Sequence, residues 1–225
     1  VTATPAAAAL SLPPLPPLAN PAEVLAAIDA LPTGAWLATD ADETLWAADV
    51  GDELVRLAAT GGGPFAAGSA DFAWYAKEMS EGDYAGACRF AAQLLATVDA
   101  EAVRVALEPV LAQVRCRAWL IQALARASAR GVNVAIVSAS PRLVVQWACA
   151  VHGLETAQVI GIEVGASGVR EPAPVGYGKV AAWLELGLAQ PQIALGDSRW
   201  DAPLLAMARH GFLLAKASAD HWDVL

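Results

Sequence analysis

The sequence predicts an α/β fold in which a doubly wound parallel sheet is interrupted after its first strand by an all-helical insertion. Three observations predict it. Short, continuous apolar runs recur at 36–40, 132–140, 158–164, 192–197 and 211–215, the pattern of strands covered on both faces. Helical patterns at 141–152, 178–187 and 199–209 alternate with these runs from residue 132 onward, as in βαβ units. Residues 47–130 hold helical periodicity without a convincing strand.

The elements follow in order. Residues 1–20 are rich in proline and alanine and contain no charged side chain, so they are expected to form an extended arm draped on the surface or disordered. The proline spacing also suits an SH3-like partner. The core takes 21–46 and 131–225, with its first strand ending in W-L-A-T-D. The insertion, 47–130, is expected to contain helices near 49–59, 71–79, 84–96 and 100–128, with G-G-G-P at 61–64 as a break. Pro141 opens the helix after the second strand, where its missing N–H costs nothing.

Composition excludes several classes. The 225 residues carry a net charge of −9, which repels nucleic acid and anionic membrane surfaces. Although 56% of residues are hydrophobic, no uninterrupted apolar run reaches the ~18 to 20 residues of a membrane-spanning helix. Cys88, Cys116 and Cys149 lack metal-ligand spacing and are expected to be reduced packing residues. The first basic residue is Arg56, so the positive end of a signal peptide is missing. The expected location is cytoplasmic, or downstream of a leader already removed. The oligomeric state is left open.

The chemistry concentrates in W-L-A-T-D-A-D-E-T-L-W at 36–46. Asp and Thr also serve as turn and cap residues, and a lone Ser or Lys has an ordinary explanation too. Their joint placement carries the argument. Ligands bind beyond the carboxyl ends of strands in such sheets, and that is where Asp40, Ser138 and Asp197 lie, with Asp201 one helical turn later and Lys179 opening a helix that reaches the same edge.

The set resembles the haloacid dehalogenase superfamily, and within it the phosphatases with a helical cap such as the phosphoserine phosphatases. D-A-D-E-T resembles the first motif, V-S-A-S the second, Lys179 in Y-G-K-V the third and G-D-S-R-W-D the fourth. The resemblance covers about residues 34–216 and implies a Rossmann-like core. It implies Mg²⁺ held by the Asp40 carboxylate, the Asp42 backbone carbonyl and Asp197, with Asp201 supporting this shell. Asp40 would be the nucleophile, forming an aspartyl-phosphate, and Asp42 the general acid/base. Thr44, Ser138 and Lys179 would bind the phosphoryl group.

The implied substrate is a small phosphorylated metabolite. Asp49 stands where the phosphoserine phosphatases place a carboxylate against the substrate's amino group, although there it is usually the longer glutamate; Asp49 also suits a helix cap. Arg56 and Arg89 are candidates for a substrate carboxylate. The aromatic residues of F-A-W-Y at 72–75 and Tyr84 could frame a quaternary ammonium or fill a helical core. Phosphoserine-like and phosphocholine- or phosphoethanolamine-like substrates both follow, as does a phosphotransferase. A dehalogenase would lack Asp42, and an inactive phosphate-binding module would have lost one of Asp40, Asp42 or Asp197. Trp36 and Trp46 are expected to pack against sheet and cap.

Overall fold

In a computed structural model of the chain, residues 11–216 are described. The elements run α1 (Pro21–Asp29), β1 (Trp36–Thr39), α2 (Val50–Thr60), α3 (Phe72–Glu81), α4 (Tyr84–Leu95), α5 (Ala100–Leu111), α6 (Ala118–Ala129), β2 (Asn133–Pro141), α7 (Arg142–Val151), β3 (Gln158–Ile162), β4 (Val164–Gly165), β5 (Gly168–Val169), α8 (Tyr177–Glu185), β6 (Ile193–Gly196), a 3₁₀ turn (Arg199–Asp201), α9 (Ala202–Met207) and β7 (His210–Leu213).

Five parallel strands form the sheet in the order β3-β2-β1-β6-β7. The chain winds outward from β1 to β3, then returns to the other side of β1 with β6. The switch of direction therefore falls between β1 and β6, where a crevice opens beyond the strand ends.

The two-residue period of the strands sorts their side chains onto two faces. Leu37, Val134, Ile136, Ile193 and Leu195 join one cluster with Val24 of α1, Leu120 and Leu124 of α6 and Val144 of α7. Ala38, Ala135, Val137 and Ala194 face α8 and α9, where Trp183 fills the space above the small side chains. Trp36 meets Trp183 edge-on at 5.4 Å between ring centres. The first cluster continues without a break into the cap through Leu54, Tyr75, Leu107 and Leu111. Cap and core thus share packed interior on this side.

Several local expectations change. Residues 100–128 form two helices, because Cys116 bridges Trp46 in antiparallel fashion while Ala47 N–H donates to Arg115 O at 2.8 Å and Arg117 N–H to Leu45 O at 2.7 Å. The two connections between cap and core are thereby tied together. Beyond the break, α6 packs against α1 and β2 on the sheet. α1 arises from a capping box: the Asn20 side chain accepts from Ala22 N–H, Glu23 reaches back to the Asn20 N–H, and Pro21 opens the helix.

The arm splits into residues 1–10, which lie outside the described residues, and a described part that extends the sheet edge. Leu18 pairs with Leu213 in parallel, and Ala19 N–H donates to Leu213 O at 2.8 Å. The end of the core, 217–225, likewise lies outside the described residues. Cys88 and Cys149 are buried and Cys116 is half-buried, all three free. Among the described residues, no helix is long and apolar enough to cross a membrane.

Candidate active site

Asp40 leaves the end of β1 with its N–H bonded to Leu195 O at 2.8 Å, which sets it beside Asp197 at the end of β6. The side chain is nearly buried, with 6% of its surface exposed. Thr44 Oγ1 lies 3.1 Å from Asp40 Oδ2 and 3.0 Å from Asp197 Oδ1. One hydroxyl has one proton to give. The two carboxylates around it therefore need a further proton or a cation between them.

Lys179, in the first turn of α8, supplies the buried positive charge. Its Nζ lies 2.6 Å from Asp40 Oδ1 and 2.5 Å from Asp201 Oδ1. Burial works against the ammonium, but the Asp201 and Asp40 carboxylates outweigh it and raise the lysine's pKa. Burial, followed by the Asp201 charge, pushes Asp40 well above the usual carboxylate range despite Lys179. Burial and then Asp201 push Asp197 up to about 6.

Asp201 is held from both ends. Its Oδ2 accepts from the backbone N–H of Asp197 and Ser198 at 3.2 and 3.0 Å and from Ser198 Oγ at 2.8 Å. Gly196 makes this approach sterically feasible, since a Cβ there would stand 2.5 Å from the Asp201 Cβ. Single carboxylate oxygens of Asp40, Asp197 and Asp201 lie within 4.8 Å of one another. This oxygen-only donor set suits a hard divalent cation. The Asp42 side chain stands outside this trio.

Asp42 faces the other way. Glu43, directly after Asp42, takes a left-handed backbone conformation with φ 61°, costing about 1 to 2 kcal/mol for a non-glycine residue. Arg117, buried beneath the loop, donates from Nε to Thr44 O at 2.9 Å and from Nη2 to Glu43 O at 3.3 Å and Ala215 O at 2.9 Å. From beyond this turn, Trp46 Nε1 and Val50 N–H each donate to Asp42 Oδ1 at 2.9 Å. Asp42 Oδ2 accepts from Ser138 Oγ at 3.1 Å and Ser140 Oγ at 2.7 Å.

These contacts add residues that sequence reasoning missed. Trp46, expected only to pack, also orients a carboxylate. Ser140 makes the shorter of the two serine contacts, and its signal was the strand period, which puts Ser138 and Ser140 on one face of β2. Arg117 had no sequence signal.

A cavity of about 680 Å³ opens above these groups, lined by Asp40, Asp42, Lys179 and Asp197 from the core side and by Asp49 and Asp52 from the cap, among others. Thr44 and Ser138 are fully buried and lie behind this lining, their hydroxyls directed to the carboxylates. Asp49 caps α2 through Asp52 N–H at 3.1 Å and also faces the cavity. Burial, with Asp42 next, pushes its carboxyl well up. Burial likewise raises Asp52, against a bond from Tyr75, and Asp52 Oδ1 is buried without a hydrogen-bond partner.

The arginine candidates lie elsewhere. Arg56 stacks 3.9 Å over the Phe72 ring and pairs with Glu53 at 4.0 Å, so it does not line the cavity. Arg89 is likewise absent from the lining and bonds Glu171. Phe72 packs against Tyr75, and Trp74 and Tyr75 each meet Phe90; Tyr75 is buried in the core and Trp74 is exposed. Tyr84 reaches the cavity, stacked on Trp200 of the core at 4.7 Å and 8°.

A search of the curated proteins finds no match. Among solved structures, a protein of unknown function from Bordetella pertussis Tohama I is 19% identical with a TM-score of 0.64, covering 80% of this chain and 89% of that one. A HAD family hydrolase from Salmonella enterica subsp. enterica serovar Typhi is 22% identical with a TM-score of 0.55 over 80% of this chain; the match spans 62% of that hydrolase's length. A substrate-bound phosphoserine phosphatase is 19% identical with a TM-score of 0.50, covering 79% and 84% of the two chains. At these identities the likeness is one of fold. The haloacid dehalogenase-like hydrolase family matches residues 37–206, which include every member of the carboxylate, serine and lysine cluster, and the chain belongs to that family.

Proposed function

We propose that the protein hydrolyses a small phosphomonoester through an aspartyl-phosphate on Asp40, with Mg²⁺ held by Asp40, Asp197 and the Asp42 carbonyl, and Asp201 completing or supporting that shell. The observation that carries this is the unlike treatment of two carboxylates two residues apart. Asp40 is clamped by a cation, whereas Asp42 is gripped by neutral donors. Carboxylates in contrasting environments divide nucleophile and acid/base work between them.

Mg²⁺, when bound, offsets the charge of these carboxylates and of the phosphoryl oxygens. The chain's own groups do the rest. An Asp40 oxygen attacks phosphorus and the bond to the alcohol oxygen breaks, with Asp42 giving that oxygen its proton. Asp42 then takes a proton from water, which attacks the phosphorus and frees Asp40. Lys179 holds the Asp40 carboxylate in place and balances the charge accumulating there. The Ser138 and Ser140 hydroxyls can rotate: both donate to Asp42 when it is ionised, and one of them accepts when Asp42 carries its single proton.

A dehalogenation has no leaving alcohol and no work for Asp42. The substrate's far end meets the cap, and that wall offers the carboxylates Asp49 and Asp52, whereas the cations of the lining, Lys179, Arg199 and Lys216, all belong to the core. This supports an amino-alcohol phosphate over phosphoserine, whose carboxylate would find no cation on that wall. Turnover of a panel of phosphomonoesters in the presence of Mg²⁺ tests the reading. Release of phosphate, fastest from amino-bearing esters, is expected; no release from any member would contradict it.

A further inference from the structure

The cavity has a third side. Residues 13–17 read P-P-L-P-P, a stiff extended segment with fixed φ and few N–H groups to satisfy. It is anchored at both ends. After it, Leu18 and Ala19 join the edge of β7; before it, the Tyr177 hydroxyl at the start of α8 donates to Ser11 O at 3.1 Å. Leu12 Cδ2 and Trp200 Cε3 close over Gly176, where an added Cβ would meet them at 3.4 and 3.6 Å. Trp200 in turn stacks on Tyr84 of the cap.

Leu15, at the centre of this segment, lines the catalytic cavity with 39% of its surface exposed. Residues 11–19 contain no charged side chain, so this wall has nothing for the phosphoryl group or for the metal. What it offers is apolar surface, shared with Met79 and Trp200 of the same lining.

We propose that residues 11–19 form a fixed wall of the substrate cavity and that Leu15 is a specificity-determining residue, packing against the carbon skeleton of the bound phosphate ester and limiting its bulk. The identity of that ligand rests on the hydrolase reading; the existence of the wall does not. A leucine between paired prolines cannot retreat without bending the segment, so a larger side chain at 15 must take volume from the cavity.

The test compares Leu15→Trp and Leu15→Ala with the parent on ethyl phosphate and 1-naphthyl phosphate. Leu15→Trp should lower kcat/KM for the naphthyl ester at least tenfold relative to the ethyl ester, and Leu15→Ala should raise the KM of the naphthyl ester. Each ratio is taken within one variant, so a partial loss of folded protein cancels. Calorimetric binding of 1-naphthylphosphonate and of inorganic phosphate provides a readout free of turnover. Leu15→Trp should weaken the phosphonate alone. If the parent turns over neither ester, the hydrolase reading fails and the binding ratio still decides on the wall. Equal effects on both ligands, or none on either, would overturn the proposal.

Discussion

Ser140 Oγ meets Asp42 Oδ2 at 2.7 Å, the shortest of the four hydrogen bonds that carboxylate receives. Gly51 of α2 comes close to this pair, since a Cβ there would lie 3.0 Å from Ser140 Oγ. The first turn of the cap and the end of β2 therefore aim Asp42 together. Ser140→Ala removes one donor to a charged group, worth about 1.5 to 3 kcal/mol. We predict a fall in kcat of about tenfold or more with little change in KM, measured on an aryl phosphate; an unchanged kcat would remove Ser140 from the machinery.

Gly196→Ala should act without touching the substrate. The new Cβ overlaps Asp201, and such overpacking costs typically about 1 to 3 kcal/mol. Displacing Asp201 also loosens Lys179. The expected result is a lower thermal midpoint together with a weaker apparent affinity for Mg²⁺. Loss of stability with unaltered Mg²⁺ activation would separate Asp201 from the metal.

Exhaustive chelation should abolish turnover, and added Mg²⁺ should restore it. Asp40, Asp197 and Asp201 face one another with Lys179 as their buried cation, and a phosphate group adds further negative charge. Rates that persist in excess EDTA, after metal removal confirmed by elemental analysis, would show that the lysine alone suffices.

Asp49→Ala and Asp52→Ala should separate substrates by charge. Each is expected to lower kcat/KM for amino-alcohol phosphates by about 1 to 3 kcal/mol, the range for a charged hydrogen bond. Aryl phosphates without an amino group should change little. Because Asp49 also caps α2, Asp49→Asn, which retains a capping oxygen, isolates the charge. Parallel losses on both substrate classes would assign these residues to the structure of the cap.

The strand-end carboxylates were legible because an apolar run ending in Asp states both the strand and its exit. Lys179 was legible by its place at the start of α8. Asn20-Pro21-Ala22-Glu23 carries a helix-start signal, but it stands at the junction of arm and core, directly after a proline-rich run that masks it. The break between α5 and α6 had no glycine or proline at 112–117, because pairing across to Leu45 and Ala47 makes it. Arg56 shows the opposite failure. Its charge suggested a substrate contact, but its place on α2 directs it over Phe72. Trp46, Ser140 and Leu15 depend on distances across the fold that no local pattern states.

Trapping of the phosphoryl-enzyme tests the central claim most directly. The protein is mixed with a phosphomonoester and Mg²⁺, quenched in acid within one turnover, digested and examined by mass spectrometry. We predict a phosphoryl group on Asp40, more of it in Asp42→Asn, where the water lacks its base, and none in Asp40→Asn. Losing that base should also slow turnover by about 10² to 10⁴-fold. Full turnover by folded Asp40→Asn, or a phosphoryl group on any other residue, would contradict the account.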